Sequence, residues 1–175
     1  MMLSHYCVMG WLPTFLRGHF GYSAIRAGLT STLVTLALMV GSPLAGVLSD
    51  RFGSRTSMLL TGSIMAVVAL LLFLLRPDVM LVMGAAVLAG MSMAFTIPLS
   101  MVLAGEKFGA RGTGLAVSIA AMTAQIASSL SGLLFGYVLQ RWNTFAAVWG
   151  LALMFSVGSI PCLLLAIKLM KRDPA

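Results

Sequence analysis

Long apolar runs alternate with short polar breaks along the whole chain. Runs at 1–16, 24–48, 56–75, 79–104, 113–139 and 145–169 are dominated by Leu, Val, Ala, Met, Ile and Phe, and breaks carrying Arg, Gly, Pro, Asp or Lys separate them. Most runs reach the roughly 20 residues that an α-helix needs to span a bilayer. The pattern predicts an all-α polytopic membrane protein of six transmembrane helices, one domain over residues 1–175. The first helix is expected to be truncated, because residues 1–16 rise only about 24 Å against a hydrocarbon core of about 30 Å.

Composition agrees and excludes soluble classes. Hydrophobic residues make up 60% of the chain, charged residues 9%, and the mean hydropathy is +1.04. A soluble domain of this length needs more charged surface. The net charge of +7 comes from eleven basic and four acidic residues scattered over the polar breaks, with no basic run, so no nucleic-acid partner is expected. Cys7 and Cys162 lie far apart in apolar runs, which suits buried free thiols and neither a disulfide framework nor a metal site. The N-terminus lacks a basic region ahead of its apolar stretch, so no removable signal peptide is expected.

Charge asymmetry orients the helices. One side holds Arg51, Arg55, Lys107, Arg111, Lys168, Lys171 and Arg172, seven residues, and the other holds Arg17, Arg26, Arg76 and Arg141, four residues. The richer side is expected to face the cytoplasm, with the C-terminus there. The location is read as the bacterial inner membrane.

Residues 46–55, GVLSDRFGSR, concentrate charge between two apolar runs. Asp50 and Arg51 sit at the water boundary, and Gly53 allows a sharp reversal before Arg55 opens the next run. The pattern G-x-L-S-D-R-x-G-x-R resembles the cytoplasmic loop signature of the major facilitator superfamily, with Ser54 where that family usually has a basic residue. The resemblance implies a six-helix half of a facilitator fold, built as a 3+3 inverted repeat. Residues 46–52 also echo residues 136–142, keeping Gly46 as Gly136, Arg51 as Arg141 and the aromatic Phe52 as Trp142. Such an echo fits an inverted repeat. Its plainer reading is a coincidence of residues common at helix ends.

Polar stripes sort the helices further. Gly28, Thr32, Thr35, Ser42 and Gly46 share one face of the second helix, Ala85, Ala89, Ser92, Thr96 and Ser100 one face of the fourth, and Gln125, Ser128, Ser129, Gly132 and Gly136 one face of the fifth. Small, weakly polar stripes serve helix packing. The third and sixth helices look lipid-facing, as the resemblance implies for the third helix of each repeat. Ala86 stands where an N-terminal half usually has an arginine ahead of the glycine matching Gly90, and residues 131–136 lack proline, so the resemblance implies a C-terminal half. The opening residues 11–16, WLPTFL, look like the seventh helix of organic-anion permeases in this superfamily.

The resemblance implies secondary active transport of a small solute by alternating access, with the lipid bilayer, a small-molecule substrate and a missing N-terminal half or a second copy as partners. The other reading is a non-transporting fragment or membrane interaction protein that keeps half of the fold. Helices 1 and 4 would line the pathway, making His5, Tyr6, Trp11, Ser92, Phe95 and Thr96 candidates for substrate contact, with Gln125 on helix 5. Each also has a packing or interfacial reading, and that reading is preferred for all of them. Gly46, Asp50, Arg51, Gly53 and Arg55 would form a conformational-switch loop, with a latch to residues 106–111. No motif surrounds any serine and both histidines lie near the ends of helix 1, so no enzyme is expected, nor any cofactor. All four acidic residues, Asp50, Asp78, Glu106 and Asp173, are expected in loops.

Overall fold

In the computed structural model, residues 2–52, 55–75, 78–142 and 145–172 are described. They form five helices: α1 (Met2–Phe20), α2 (Ala24–Phe52), α3 (Arg55–Leu74), α4 (Val79–Trp142) and α5 (Phe145–Arg172). Among the described residues, four stretches are long and apolar enough to cross a bilayer, Ala24–Phe52, Thr56–Leu74, Val79–Leu103 and Gly112–Trp142, and Ala147–Gly158 is a shorter apolar helix. The chain is an all-α polytopic membrane protein.

α1 runs a turn further than the polar residues Arg17, Gly18 and His19 suggest. It ends where Gly21 takes the left-handed φ of 64° and the Tyr22 amide donates back to the Leu16 carbonyl at 3.3 Å. That closure satisfies a carbonyl of the last turn, and glycine adopts it without steric cost. With 19 residues, α1 rises about 28 Å, close to the thickness of the hydrocarbon core. α2 likewise continues to Phe52, which puts Asp50 and Arg51 in its last turn and not in a loop.

The two helices expected at 79–104 and 113–139 belong to one 64-residue helical run. It is not a rod. His5 on α1 lies 2.8 Å from Ser92, while a Cβ on Gly136 would sit 3.5 Å from the Trp11 ring on the same helix. His5 and Trp11 are about 9 Å apart along α1, whereas Ser92 and Gly136 would be about 66 Å apart on a straight helix. The run therefore folds back between its two apolar passes. The Thr113 hydroxyl donates to the Gly105 carbonyl at 2.9 Å, two groups that a straight helix would separate by about 12 Å. Glycine suits this corner, because a Cβ on Gly105 would lie 3.0 Å from the Thr113 methyl.

Two clusters make the interior. At the Phe20 end, Trp149 stacks on Phe73 at 5.0 Å and meets the edge of Phe15 at 5.4 Å, within a core that includes Leu12, Leu16, Leu70 and Phe135. Toward the Phe52 end, Ala45, Leu59, Ala94, Phe95 and Leu99 pack together. Glycines set the helix spacing: Gly41 of α2 faces Ala94 and Met91, and Gly62 of α3 faces Phe95 and Thr96, each so tightly that a Cβ would lie within 2.8 Å of its neighbours. Such closeness is how membrane helices gain van der Waals contact.

The third helix is less peripheral than its composition suggests. Gly62, Ser63, Ala66, Ala69, Leu70 and Phe73 recur at helical spacing and are buried against the first pass of α4 and against α5, leaving Ile64, Val68, Leu71 and Leu75 outward. Only one face of α3 is available to lipid.

Candidate functional site

The first pass of α4 is the hub, since it packs on α1, α2 and α3. Its stripe of Ala85, Ala89, Ser92 and Thr96 is buried, with Ser100 half-buried. Ser92 is fully enclosed, and its hydroxyl meets His5 Nε2 at 2.8 Å, which ties α4 to α1 across the interior. One residue earlier on α1, the Ser4 hydroxyl accepts from Ser156 of α5 at 2.8 Å. These bonds put a polar seam among α1, α4 and α5 inside an otherwise apolar bundle, where unpaired polar groups are costly. His5 is 4% exposed, and its second ring nitrogen, Nδ1, has no hydrogen-bond partner.

Other expected pathway residues divide into three settings. Phe95 and Thr96 face α3 at Gly62, and the Thr96 hydroxyl donates to the Ser92 carbonyl of its own helix at 2.7 Å. Tyr6 and Trp11 are half-buried on α1, with Trp11 against Gly136. Gln125 is exposed on the second pass of α4, its carbonyl accepting from the Ser129 hydroxyl at 3.1 Å. The structure thus joins His5 with Ser92 and groups Phe95 with Thr96. Gln125 stands apart on an outer face.

Of the expected switch loop, Asp50 and Arg51 are exposed on the last turn of α2, and Gly46 is half-buried one turn earlier. Ser49 beside them is 2% exposed, and its hydroxyl has no hydrogen-bond partner. Gly53 and the side chains of Arg55 and residues 106–111 lie outside the described residues, so the expected latch does too. Asp50 belongs to a helix end, which corrects the expectation that every acidic residue falls in a loop.

An open cleft of about 380 Å³ at the Phe20 end is lined by Thr14, Arg17, Gly18, Gly21 and Tyr22. The backbone closure at Gly21 brings Tyr22 beside the last turn of α1. In sequence residues 17–23 look like a plain polar turn, which reveals neither the cleft nor the bond between Ser4 and Ser156. Polar Ser4 and His5 side by side in an apolar run were the signal for that bond. Cys7 is a buried free thiol. Among the described residues no group of His, Cys, Asp or Glu gathers to hold a metal ion.

Outer faces complete the picture. Gly28, Thr32 and Thr35 of α2 are exposed, as are Gln125, Ser129 and Gly132 of α4, although each was expected to pack against another helix. Within its apolar window, Gly112–Trp142 is only 11% buried, against 56% for Val79–Leu103.

A bundle of apolar helices joined by a polar seam, with small-residue faces left outward, defines an all-α polytopic membrane protein. The chain belongs to the Major Facilitator Superfamily, which it matches over residues 1–175. It is also 36% identical over 83 residues to a Haemophilus influenzae protein named "Putative metabolite transport protein", a match covering 46% of this chain and 20% of that protein. No solved structure matches the chain.

Proposed function

We propose that this chain is the C-terminal half of a secondary transporter that moves a small solute by alternating access, paired with an N-terminal half or with a second copy of itself. The observation that carries this reading is the exposure of the small-residue faces on α2 and on the second pass of α4. In a bilayer such faces pack against other helices, because lipid tails gain nothing from notches and hydroxyls. The half-fold reading has a second support in the echo between residues 46–52 and 136–142. Both copies close a helix, α2 at Phe52 and α4 at Trp142, and these ends lie on opposite sides of the bundle. Opposite placement is what an inverted repeat requires.

The assignment to a C-terminal half follows the resemblance, in Ala86 standing where an N-terminal half usually carries an arginine and in the lack of proline in residues 131–136. A metabolite-sized solute fits the name carried by the Haemophilus relative. The excess of Lys and Arg beside α2, the α4 corner and the end of α5 favours a cytoplasmic C-terminus, in a bacterial inner membrane. The chain works without enzymatic chemistry in this reading.

Co-expression tests it. The chain is produced alone and with a six-helix N-terminal half supplied separately, purified in nanodiscs, and assayed for uptake of labelled small organic acids. Stable association and uptake by the assembled pair are expected. A lone chain that stays monomeric and monodisperse and recruits neither half overturns the reading in favour of a non-transporting membrane protein.

A further inference from the structure

Burying a histidine inside a membrane bundle is costly, and such a residue calls for a role. His5 is held among Val8 of α1, Ala66, Ala69 and Leu70 of α3, and Ala89 of α4, around a gap of about 10 Å³. That volume is at the floor of what one water occupies, so the packed site has no ready solvent partner for Nδ1. Neutral imidazole offers one donor and one acceptor, whereas the protonated ring has donors on both nitrogens. Ser92 serves Nε2, and Nδ1 is left without an acceptor.

We propose that His5 is a proton-binding site and that proton uptake there releases the first half of α1 from α4. A charged ring cannot be accommodated by the packing as it stands. Tyr6 and Cys7 are its titratable neighbours on α1, and the residues that α3 and α4 place around the ring are apolar or hydroxyl-bearing. α5 contributes Ser156 through Ser4. The charged groups of α2, Arg26, Asp50 and Arg51, stand near its two ends, away from the middle of the helix. Protonation therefore favours an arrangement in which Nδ1 meets water.

α1 is built to allow that movement. Pro13 lies inside the helix and removes the bond to the Met9 carbonyl, and Gly10 has open space around it. Beyond Pro13, Phe15 is anchored against Phe73 and Trp149. The His5 half can swing while the Phe15 half stays docked. The proposal does not depend on transport, because its readout is the opening of α1.

Cys7 is a native reporter, fully buried two residues from His5. In the full chain in nanodiscs with Cys162→Ser, the rate of Cys7 modification is measured across the histidine range of about pH 5 to 8. Each rate is divided by that of the unfolded chain, which removes the intrinsic pH dependence of the thiol. The normalised rate is expected to rise at least about fivefold as pH falls, a typical size for coupled equilibria. His5→Gln, which keeps an amide for Ser92 but takes up no proton, is expected to abolish the rise. Ser92→Ala, which removes the partner of the buried neutral ring, is expected to move the rise to higher pH. A flat profile in the unsubstituted chain overturns the proposal even if a variant fails to fold, and so does an unchanged rise in His5→Gln.

Discussion

Gly90 of α4 rests directly on the carbonyl oxygen of Val34 in α2, and a Cβ at position 90 would also lie 2.7 Å from the Cβ of Ala37. Backbone is in the way, so no side-chain rotation relieves the clash. Gly90→Ala is expected to lower stability by about 1–3 kcal/mol, the usual cost of overpacking. Gly84→Ala, at a position with nothing within 4 Å, is the matched control. Thermal unfolding in mild detergent should show a clear loss for the first and little for the second. Equal melting temperatures would mean that α2 and α4 do not cross there.

Trp149 separates ring packing from indole hydrogen bonding. Its ring is 1% exposed between Phe15 and Phe73, and Nε1 has no hydrogen-bond partner. Trp149→Ala empties the centre of the aromatic cluster and should cost about 3–5 kcal/mol. Trp149→Phe keeps an aromatic ring and deletes the unsatisfied donor, so it should cost far less. Chemical unfolding of the two variants checks the order, and equal losses would show that Nε1 is bonded.

Asp50 sits against the grain of its helix. A carboxylate in the last turn meets the negative end of the helix dipole, at a cost of about 0.3–1 kcal/mol, whereas Arg51 beside it is favoured there. Asp50→Asn should therefore leave insertion and helix content intact. In an assembled transporter it should change transport or the balance between inward-open and outward-open forms. Uptake and accessibility labelling at unchanged levels would rule out a switching role for this carboxylate.

The corner of α4 can be weakened on its own. Thr113→Val removes the hydroxyl bond to the Gly105 carbonyl and keeps the side-chain shape, at an expected cost of about 0.5–1.5 kcal/mol. Faster amide hydrogen exchange at the corner, without change near Phe73 or Trp149, is the expected pattern. Uniform loosening of the bundle would contradict it.

The sequence was legible wherever local pattern decides the structure. Apolar runs located the helices, and GVLSDRFGSR marked the junction of α2 and α3 together with the family. Helix ends were harder: Arg17, Gly18 and His19 look like a turn, yet the stop is set one residue past Phe20 by Gly21. α3 packs more closely than its long aliphatic residues suggest, through Gly62, Ser63, Ala66 and Ala69, whose spacing describes a packing face. The meeting of His5 with Ser92 spans 87 positions, and no local pattern contains it. Gln125, an amide expected to need a partner, is exposed on the second pass of α4, a placement that depends on the fold-back and not on any local pattern.

A folded-back α4 joins by continuous helix what would otherwise be two independent posts. Its first arm carries Ser92 in the interior, its second carries Gln125 on the outer face, and the Thr113 bond clamps the elbow between them. Through that elbow a tilt of the inner arm would carry the outer one with it, as a slack tether between two helices would not. A loosening of α1 at His5, as proposed, would then reach the outer face that carries Gln125.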